Sequence, residues 1–495
     1  MTNTFVKSLV AEQDKEIKNN NKTITTNGAK AFKSTLNANL DLHSAMGSFR
    51  KTNDEKITKL LDEALNEDLD TALRNLLLLR DVRGGLGERE AFRKCLQHLY
   101  HTNYKVLVNS NFLELVPVVG RWDDLLVFIN PIFNTEIKQK IANMFKKALL
   151  EDKNGLCSKW TPRQGPVASQ LRALLGWTPK FYRKTLVGLT NVVETTMCKG
   201  KPEFKEINFN HVPSRAFQIY KDAFNRNAVD EFKKWKESLV NDTGDAKINA
   251  GAVFPYQVLK QVNTNDPSMS AVFEKQWESL PNYVTPGVNV LPMIDVSGSM
   301  DCPSGAKGFT CMDMSISLGI YLATKMTGDF KDVYMTFAER PKLTKLVGKT
   351  LKDKYKYVES HDVGYSTNVE AAFREIVNFA KNNKVNQEDM PKYLVMFSDM
   401  QFNQADRGNK SGFGMMKKAF NDAGYEIPKI IFWNLNAAYS NNPVTFDKEG
   451  TALVSGFSPA LMKSIFAGDL KSEDFTPLAI MNRALQVDRY TITYN

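Results

Sequence analysis

The sequence lacks long apolar runs and is poor in cysteine. No stretch approaches the ~18 consecutive apolar residues that a membrane-spanning helix needs, so we do not expect an integral membrane protein. The first residues show no apolar segment ahead of a small-residue cleavage site, so we expect no secretory signal. The five cysteines form no C-x-x-C pair and share no metal-ligand spacing with the five histidines. These absences predict reduced thiols, no zinc site and a cytoplasmic location.

The composition is that of a folded, basic, multi-domain chain. Hydrophobic residues make up 42% of the 495 residues, enough to build sizeable cores. The net charge is +10, and residues 138–201 hold 13 Lys or Arg against 3 Asp or Glu. Such a basic stripe suits a polyanion such as nucleic acid. An ordinary solvated helical surface has the same composition, so charge alone leaves both interpretations open.

The pattern along the chain divides it into three parts. Residues 1–25 are polar and predict a flexible N-terminal arm. Residues 26–285 carry apolar residues at spacings of three and four, which predicts a helical domain. Helix pairs of roughly forty residues would fit HEAT-like repeats, although an irregular helical domain has nearly the same pattern. From residue 286 to 495, short apolar runs alternate with helical stretches, which predicts a doubly wound α/β domain.

The predicted strands of the α/β domain are short and apolar. Two of them follow each other too closely for a crossover helix, which predicts a hairpin. The first contains Pro292, which cannot donate to a strand ladder and indicates a bulge. The runs that we assign as strands are 288–294, 332–337, 342–347, 393–398 and 429–434.

Oxygen-bearing side chains follow the ends of these strands. Ligands of α/β sheets bind beyond the carboxyl ends of the strands, and we expect five side chains to converge there. Two carboxylates and three hydroxyls, without nitrogen or sulfur, suit a hard cation, with Mg²⁺ first and Mn²⁺ or Ca²⁺ as alternatives. The spacing fits neither an EF-hand loop nor a nucleophile elbow. The predicted metal ligands are Asp295, Ser297, Ser299, Thr367 and Asp399.

This D-x-S-x-S motif with a later Thr and Asp resembles the metal-ion-dependent adhesion site of von Willebrand factor type A domains. The resemblance covers residues 286–495. It implies that the three hydroxyls bind the metal and that Asp295 and Asp399 act directly or through water. It also implies an open coordination position that accepts a carboxylate from a partner.

Three motifs in the first half are similar to the helical part of Ro/TROVE proteins and of uncharacterised TROVE-like relatives. They are RDVRGGLGER at 80–89, GRWDDL at 120–125 and VETTM at 193–197. The resemblance implies HEAT-like repeats that close into a ring and bind single-stranded or structured small RNA, as part of a ribonucleoprotein. Taken on their own terms, Arg80, Asp81, Arg83 and Glu88 indicate a buried ionic network, and the GGLG stretch indicates a turn with positive φ. Trp122 indicates either a core residue or a platform on which a base stacks.

The basic stripe supplies the candidate RNA contacts. Arginine binds phosphates in a bidentate manner, and the interleaved Trp160 and Tyr182 offer rings for base stacking. The predicted RNA-binding residues are Arg121, Lys159, Arg163, Arg172, Lys180, Arg183 and Lys184.

These observations predict a monomeric RNA-binding protein with a divalent-metal site that docks an acidic protein partner. No catalytic apparatus is recognisable, so we expect a non-enzyme that binds no membrane. The alternative is a metal-dependent assembly scaffold without RNA binding. A metal-dependent nuclease is a third possibility, because a bound cation could activate water.

Overall fold

A computed structural model describes residues 4–49, 54–200, 202–337, 339–361, 367–403, 412–436, 441–468 and 470–494. Within these ranges, no helix combines the length and the apolar character needed to cross a bilayer.

The helices occupy most of the first 280 residues and flank the strands thereafter. In chain order they are α1 (Thr4–Asn20), α2 (Ala38–Met46), α3 (Asp54–Glu67), α4 (Leu69–Arg80), α5 (Glu90–Thr102), α6 (Tyr104–Asn109), α7 (Phe112–Val119), α8 (Thr135–Leu150), α9 (Gly155–Trp160), α10 (Gly165–Leu175), α11 (Pro179–Leu189), α12 (Val193–Lys199), α13 (Ser214–Asn227), α14 (Val229–Val240), α15 (Pro255–Val262), α16 (Pro267–Glu278), α17 (Cys311–Lys325), α18 (Leu351–Glu359), α19 (Val369–Asn382), α20 (Gly412–Asp422), α21 (Met462–Phe466) and α22 (Pro477–Leu485).

The strands form a hairpin near the N-terminus and a mixed sheet in the second half. They are β1 (Lys22–Ile24), β2 (Lys30–Phe32), β3 (Val290–Asp295), β4 (Val333–Phe337), β5 (Lys342–Lys345), β6 (Tyr393–Ser398), β7 (Lys429–Asn434) and β8 (Thr451–Ser455). Strands β1 and β2 pair antiparallel, and the larger sheet has the order β5-β4-β3-β6-β7-β8.

The sheet confirms the predicted doubly wound α/β fold. All neighbouring strands of the larger sheet run parallel except β4 and β5, which form the expected antiparallel hairpin. Strands β3 and β6 lie at the centre and are buried along their whole length. The helical region that precedes the sheet confirms the other half of the predicted fold class, while HEAT-like repeats remain a prediction.

Pro292 does not create the predicted bulge. It lies opposite Val395 in a register between β3 and β6 that continues without interruption. On the other side, the ladder to β4 begins only at Met293. The missing N–H of the proline therefore breaks no bond of the β4 ladder, which explains how a central strand accepts it.

The chain divides into two compact units that each contain non-contiguous segments. The α/β unit comprises Met1–Leu69 and Tyr283–Ala484, and the helical unit comprises Asp70–Asn282 and Leu485–Asn495. The first segment belongs to the α/β unit because α2 packs against β8. Residues Thr4–Asn20 of this segment form the helix α1, where the composition predicts a loose arm.

Buried ion pairs connect the motif at 80–89 with the motif at 120–125 in the helical unit. At the end of α4, Arg80 Nε donates to Asp124 Oδ2 over 2.7 Å, and Arg93 Nε of α5 donates to Asp124 Oδ1 over 2.8 Å. Arg80 is 2% exposed and Asp124 is fully buried. A Cβ added to Gly120 would lie 2.8 Å from Arg80 Cγ, so this close approach requires glycine. Buried charges of this kind are tolerated only when they are paired.

The neighbouring Asp81 pairs with the C-terminal segment of the same unit. Its Oδ2 lies 2.9 Å from Arg489 Nη2 and accepts a 2.7 Å hydrogen bond from the Tyr490 hydroxyl. The predicted ionic role of the motif is therefore confirmed for Arg80 and Asp81, whose partners are distant in sequence. The GGLG stretch forms the predicted turn, with Gly87 at φ +69°.

Asp124→Ala should destabilise the helical unit strongly. The change leaves the buried guanidinium of Arg80 without its counter-ion, and losing one partner of a buried pair costs about 3–5 kcal/mol. Chemical denaturation followed by circular dichroism measures the loss, with the exposed Asp152→Ala as the control. Equal stability of the two variants would contradict the structural role of the pair.

Candidate metal site

The central strands bring the two predicted carboxylates to one edge of the sheet. Asp295 is the last residue of β3, and Asp399 directly follows β6. Because β3 and β6 are parallel neighbours, their carboxyl ends lie side by side. Both carboxylates are buried, with exposures of 0% and 1%.

The three hydroxyls meet at the same edge. Ser297 Oγ lies 3.2 Å from Ser299 Oγ and 3.0 Å from Thr367 Oγ1. Adjacent ligand oxygens around an octahedral Mg²⁺ are separated by about 3.0 Å, given metal–oxygen distances of about 2.1 Å. The Ser297 hydroxyl therefore already has the separation from each of the other two that a shared small cation requires.

The two carboxylates differ in how they are held. Asp295 Oδ1 accepts the Ser297 N–H over 3.0 Å, and its Oδ2 accepts the Ser398 hydroxyl. Asp399 Oδ1 accepts the Gln401 N–H over 3.1 Å. Among the described residues, the buried Asp399 Oδ2 has no hydrogen-bond partner. An orphaned buried carboxylate oxygen beside three hydroxyls fits a cation ligand, because a bare buried acceptor is otherwise costly.

The electrostatics of the site favour a bound positive charge. Burial, and then the charge of Asp399, raise the pKa of Asp295 to about 7. Burial also raises the pKa of Asp399. Two buried carboxylates without a counter-charge resist ionisation, and a divalent cation between them would reverse that effect. In the described part of the chain, no group of three or more His, Cys, Asp or Glu side chains is placed to hold a metal ion.

The N-terminal hairpin fixes the loop that follows Asp399, a feature that the sequence analysis missed. The Thr25 hydroxyl donates to the Phe402 carbonyl, and Asn27 Nδ2 donates to the Gln401 carbonyl, each over 2.7 Å. The backbone N–H of Thr26 donates to Gln401 Oε1 over 2.9 Å. No local sequence signal joins segments that lie about 375 residues apart.

The next residue along this loop positions the threonine ligand. Thr367 N–H donates to Asn403 Oδ1 over 3.2 Å, and Asn403 N–H donates to the Thr367 carbonyl over 3.1 Å. Gly28 forms an antiparallel bridge with the same Asn403. The hairpin and the loop 401–403 thus hold both Asp399 and Thr367, which come from different elements.

The predicted RNA-binding residues lie in the helical unit and fall into two groups. Lys180, Arg183 and Lys184 are exposed on α11, and within the described residues none of the three has an ion-pair partner. Helix α11 begins at Pro179, where the Thr178 hydroxyl accepts the Phe181 N–H. Phe181 is 46% exposed on the same helix, so this surface combines cations with an aromatic ring.

The other predicted cations make contacts within the protein. Arg121 stacks over Trp160, with 3.8 Å from its guanidinium carbon to the ring centroid, and hydrogen-bonds Asp123. Lys159 Nζ lies 3.2 Å from Glu194 Oε1. The exposed Arg163 donates from Nη2 to the Thr190 hydroxyl, whereas Arg172 is half-buried on α10.

Neither Trp160 nor Tyr182, the two aromatic residues predicted for base stacking, is exposed. Tyr182 is 4% exposed and donates its hydroxyl to the Pro162 carbonyl over 2.7 Å, so the expectation that it stacks on bases is wrong. Tyr182 lies on the face of α11 that packs against the core, whereas Phe181 lies on the exposed face. Trp122 is half-buried and contacts Phe145 edge-on at 5.1 Å between ring centroids.

Fold and site together define a two-part protein, with a helical unit and an α/β unit that carries a candidate cation site. The family model for a domain of unknown function, DUF2828, matches residues 25–125 and 134–285, just over half of the chain. The protein therefore belongs to the DUF2828 family. A second domain of unknown function, DUF7788, matches residues 289–486.

A viral protein and two solved structures are similar to the chain. The uncharacterised protein L728 of Acanthamoeba polyphaga mimivirus is 28% identical over 520 residues, spanning 94% of this chain and 87% of the viral protein. The crystal structure of the Deinococcus radiodurans Ro (RSR) protein is 14% identical with a TM-score of 0.37, over 89% of this chain and 92% of that chain. Proximal thread matrix protein 1 from the mussel byssus, which has a zinc-occupied MIDAS motif, is 12% identical with a TM-score of 0.25, over 37% of this chain and 47% of that chain. Because both TM-scores are below 0.5, the assignment of the site rests on the geometry of this chain alone.

The metal-free protein should lose stability as the pH rises through the range in which Asp295 ionises. Asp295 holds its proton up to a pH of about 7 in the folded state but only to about 4 in the unfolded chain. Between these values the folded state binds more protons, so the free energy of unfolding falls as the pH increases.

Thermal unfolding in EDTA between pH 5 and pH 8 measures this effect. Asp295→Asn should flatten the pH dependence relative to the wild type, because the amide does not titrate. Added Mg²⁺ should raise the melting temperature of the wild type most at pH 8. Identical pH profiles for the two proteins would contradict the predicted ionisation.

Proposed function

We propose that the α/β unit binds a divalent cation, with Mg²⁺ as the first candidate, and uses it to bind a carboxylate of a protein partner. The observation that carries the proposal is the buried Asp399 Oδ2, which has no hydrogen-bond partner among the described residues. It lies at the strand edge where the Ser297 hydroxyl is 3.2 Å from that of Ser299 and 3.0 Å from that of Thr367. A cation bound there supplies positive charge and, as in the type A domains that the motif resembles, an open position for an acidic ligand. The proposed ligand set is Asp295, Ser297, Ser299, Thr367 and Asp399.

The residues have distinct roles in this proposal. Ser297, Ser299 and Thr367 hold the cation directly through their hydroxyl oxygens. Asp399 offers its free Oδ2, whereas both oxygens of Asp295 already accept protein hydrogen bonds. Asp295 therefore orients the Ser297 backbone and contributes charge, either directly or through water. We assign no catalytic step to these residues, so the proposed role is binding and not turnover.

Isothermal titration calorimetry with Mg²⁺ and Mn²⁺ tests the cation site. Asp295→Ala should abolish binding, because it removes a charge and frees the loop that carries both serines. Asp301→Ala is the matched control, since this exposed aspartate lies in the same loop and outside the proposed ligand set. Equal cation affinity of wild type and Asp295→Ala would overturn the assignment.

Capture of a glutamate-containing peptide tests the carboxylate ligand. Immobilised protein should retain the peptide in Mn²⁺ and release it in EDTA, and the matched glutamine peptide should not bind. Asp301→Ala should behave as the wild type does. Retention that persists in EDTA would show that the basic surface, and not the cation, holds the peptide.

We propose RNA binding by the helical unit as a second function. It is supported by the exposed and unpaired cations Lys180, Arg183 and Lys184 beside the exposed ring of Phe181. Cations at this spacing on one helix contact successive phosphates, and an exposed ring can stack on a base. Phosphate contacts would then dominate the affinity, with little base specificity.

Binding of a labelled single-stranded RNA at several salt concentrations tests this function. The double variant Lys180→Glu with Lys184→Glu should bind at least ~10-fold more weakly and with a shallower salt slope, because two phosphate contacts are lost. The matched control is Lys233→Glu with Lys234→Glu, two exposed lysines on α14. Equal loss in both variants would indicate a dependence on net charge and not an α11 site. Absence of binding by the wild type at low salt would favour the metal-dependent scaffold without RNA.

A further inference from the structure

Two of the five cysteines face each other across a short antiparallel turn beside the candidate metal site. Pro303 and Thr310 form an antiparallel bridge. The Cys311 N–H donates to the Cys302 carbonyl over 2.9 Å, and the Ser304 N–H donates to the Phe309 carbonyl over 3.1 Å. Cys302 and Cys311 flank this bridge and face each other, joined by one of the two backbone bonds of a hydrogen-bonded pair.

Directly opposed residues of this kind have the separation that a disulfide requires. A hydrogen-bonded antiparallel pair has its Cα atoms about 5.5 Å apart. Disulfides span Cα separations of about 4.4–6.8 Å, most often 5.5–6 Å. The side chains of Cys302 and Cys311 also hydrogen-bond each other, so the two thiols are already in contact.

Contacts of the sulfur atoms agree with this arrangement. Asn436 Nδ2 donates to Cys302 Sγ over 3.2 Å, and Cys311 Sγ lies 3.5 Å from the Leu435 carbonyl oxygen. Both sulfurs therefore reach the same dipeptide after β7. The Cys311 thiol also lowers the pKa of Cys302 through a hydrogen bond, which favours Cys302 as the attacking sulfur.

We propose that Cys302 and Cys311 form a redox modification site in which hydrogen peroxide converts the two thiols into a disulfide. Cys302 is partly exposed and Cys311 is buried, so the oxidant reaches Cys302 first. Its thiolate attacks a peroxide oxygen, the O–O bond breaks, and a sulfenic acid and one water form. The Cys311 thiol then attacks that sulfur, the S–O bond breaks, and a second water leaves. Two thiols are oxidised, one peroxide is reduced to two waters, and a dithiol reductant reverses the change.

The resulting loop lies immediately after the metal-binding serines. It would close the segment from 302 to 311, which joins the D-x-S-x-S motif to α17. The other three cysteines offer no comparable pair, because Cys95 and Cys157 are buried in the helical unit and Cys198 is exposed there.

Peptide mass spectrometry of the full-length folded protein tests the proposal. The chain is treated with hydrogen peroxide, blocked with N-ethylmaleimide and cleaved with trypsin. Lys307 lies between the two cysteines, so cleavage there separates them onto different peptides unless a disulfide joins them. A Cys198→Ser background removes intermolecular pairing through the exposed thiol.

The expected product is the linked pair of peptides, two hydrogens lighter than their sum, in most chains, and it should disappear after dithiothreitol. Cys302→Ser or Cys311→Ser should abolish it, whereas Cys157→Ser should leave it unchanged. Recovery of Cys302 as a sulfinic acid or as the maleimide adduct, with no linked peptides, would overturn the proposal. Circular dichroism before digestion establishes that the oxidised protein is folded, so that pairing in an unfolded chain cannot account for the product.

Discussion

Two carboxylates buried at adjacent strand ends are the constraint around which the α/β unit is arranged. Asp295 and Asp399 lie at the carboxyl edge of parallel neighbours, where water is excluded and their charges repel. Such a pair is costly unless hydrogen bonds and a counter-charge compensate it. Backbone N–H groups and the Ser398 hydroxyl supply part of this compensation. Among the described residues Asp399 Oδ2 has no hydrogen-bond partner, and a bound cation would supply the missing counter-charge there.

The N-terminal β1–β2 hairpin helps to hold this edge of the sheet in place. The β1–β2 hairpin contacts the loop 401–403, and that loop in turn contacts Thr367. The α/β unit is therefore formed by two separate stretches of the chain, one before residue 70 and one after residue 282. In the helical unit, the pairing of Arg80 with Asp124 has a comparable role, because it joins motifs about forty residues apart.

Hydrophobic periodicity and motif spacing predicted those elements that a short stretch of sequence determines. The apolar run before Asp399 is a buried central strand, as expected, and the hydroxyl motif after Asp295 lies where strand ends place it. Strand β8, Thr451–Ser455, is not among the strands predicted from the sequence. Apolar residues recur at helical spacing throughout residues 57–80, but the structure has two helices there, separated at Asp68. Glu67 there accepts two backbone N–H groups at the start of α2, a tertiary contact that no local pattern encodes.

The location of a bound cation is the most direct test of the central claim. Crystals of the full-length protein grown with Mn²⁺ would reveal the ion by its anomalous scattering. A cation bound as proposed should give a single strong peak about 2.1 Å from the hydroxyl oxygens of Ser297 and Ser299, on the side of Asp399 Oδ2. A fully ordered site with no anomalous peak, or an ion bound only elsewhere on the protein, would contradict it.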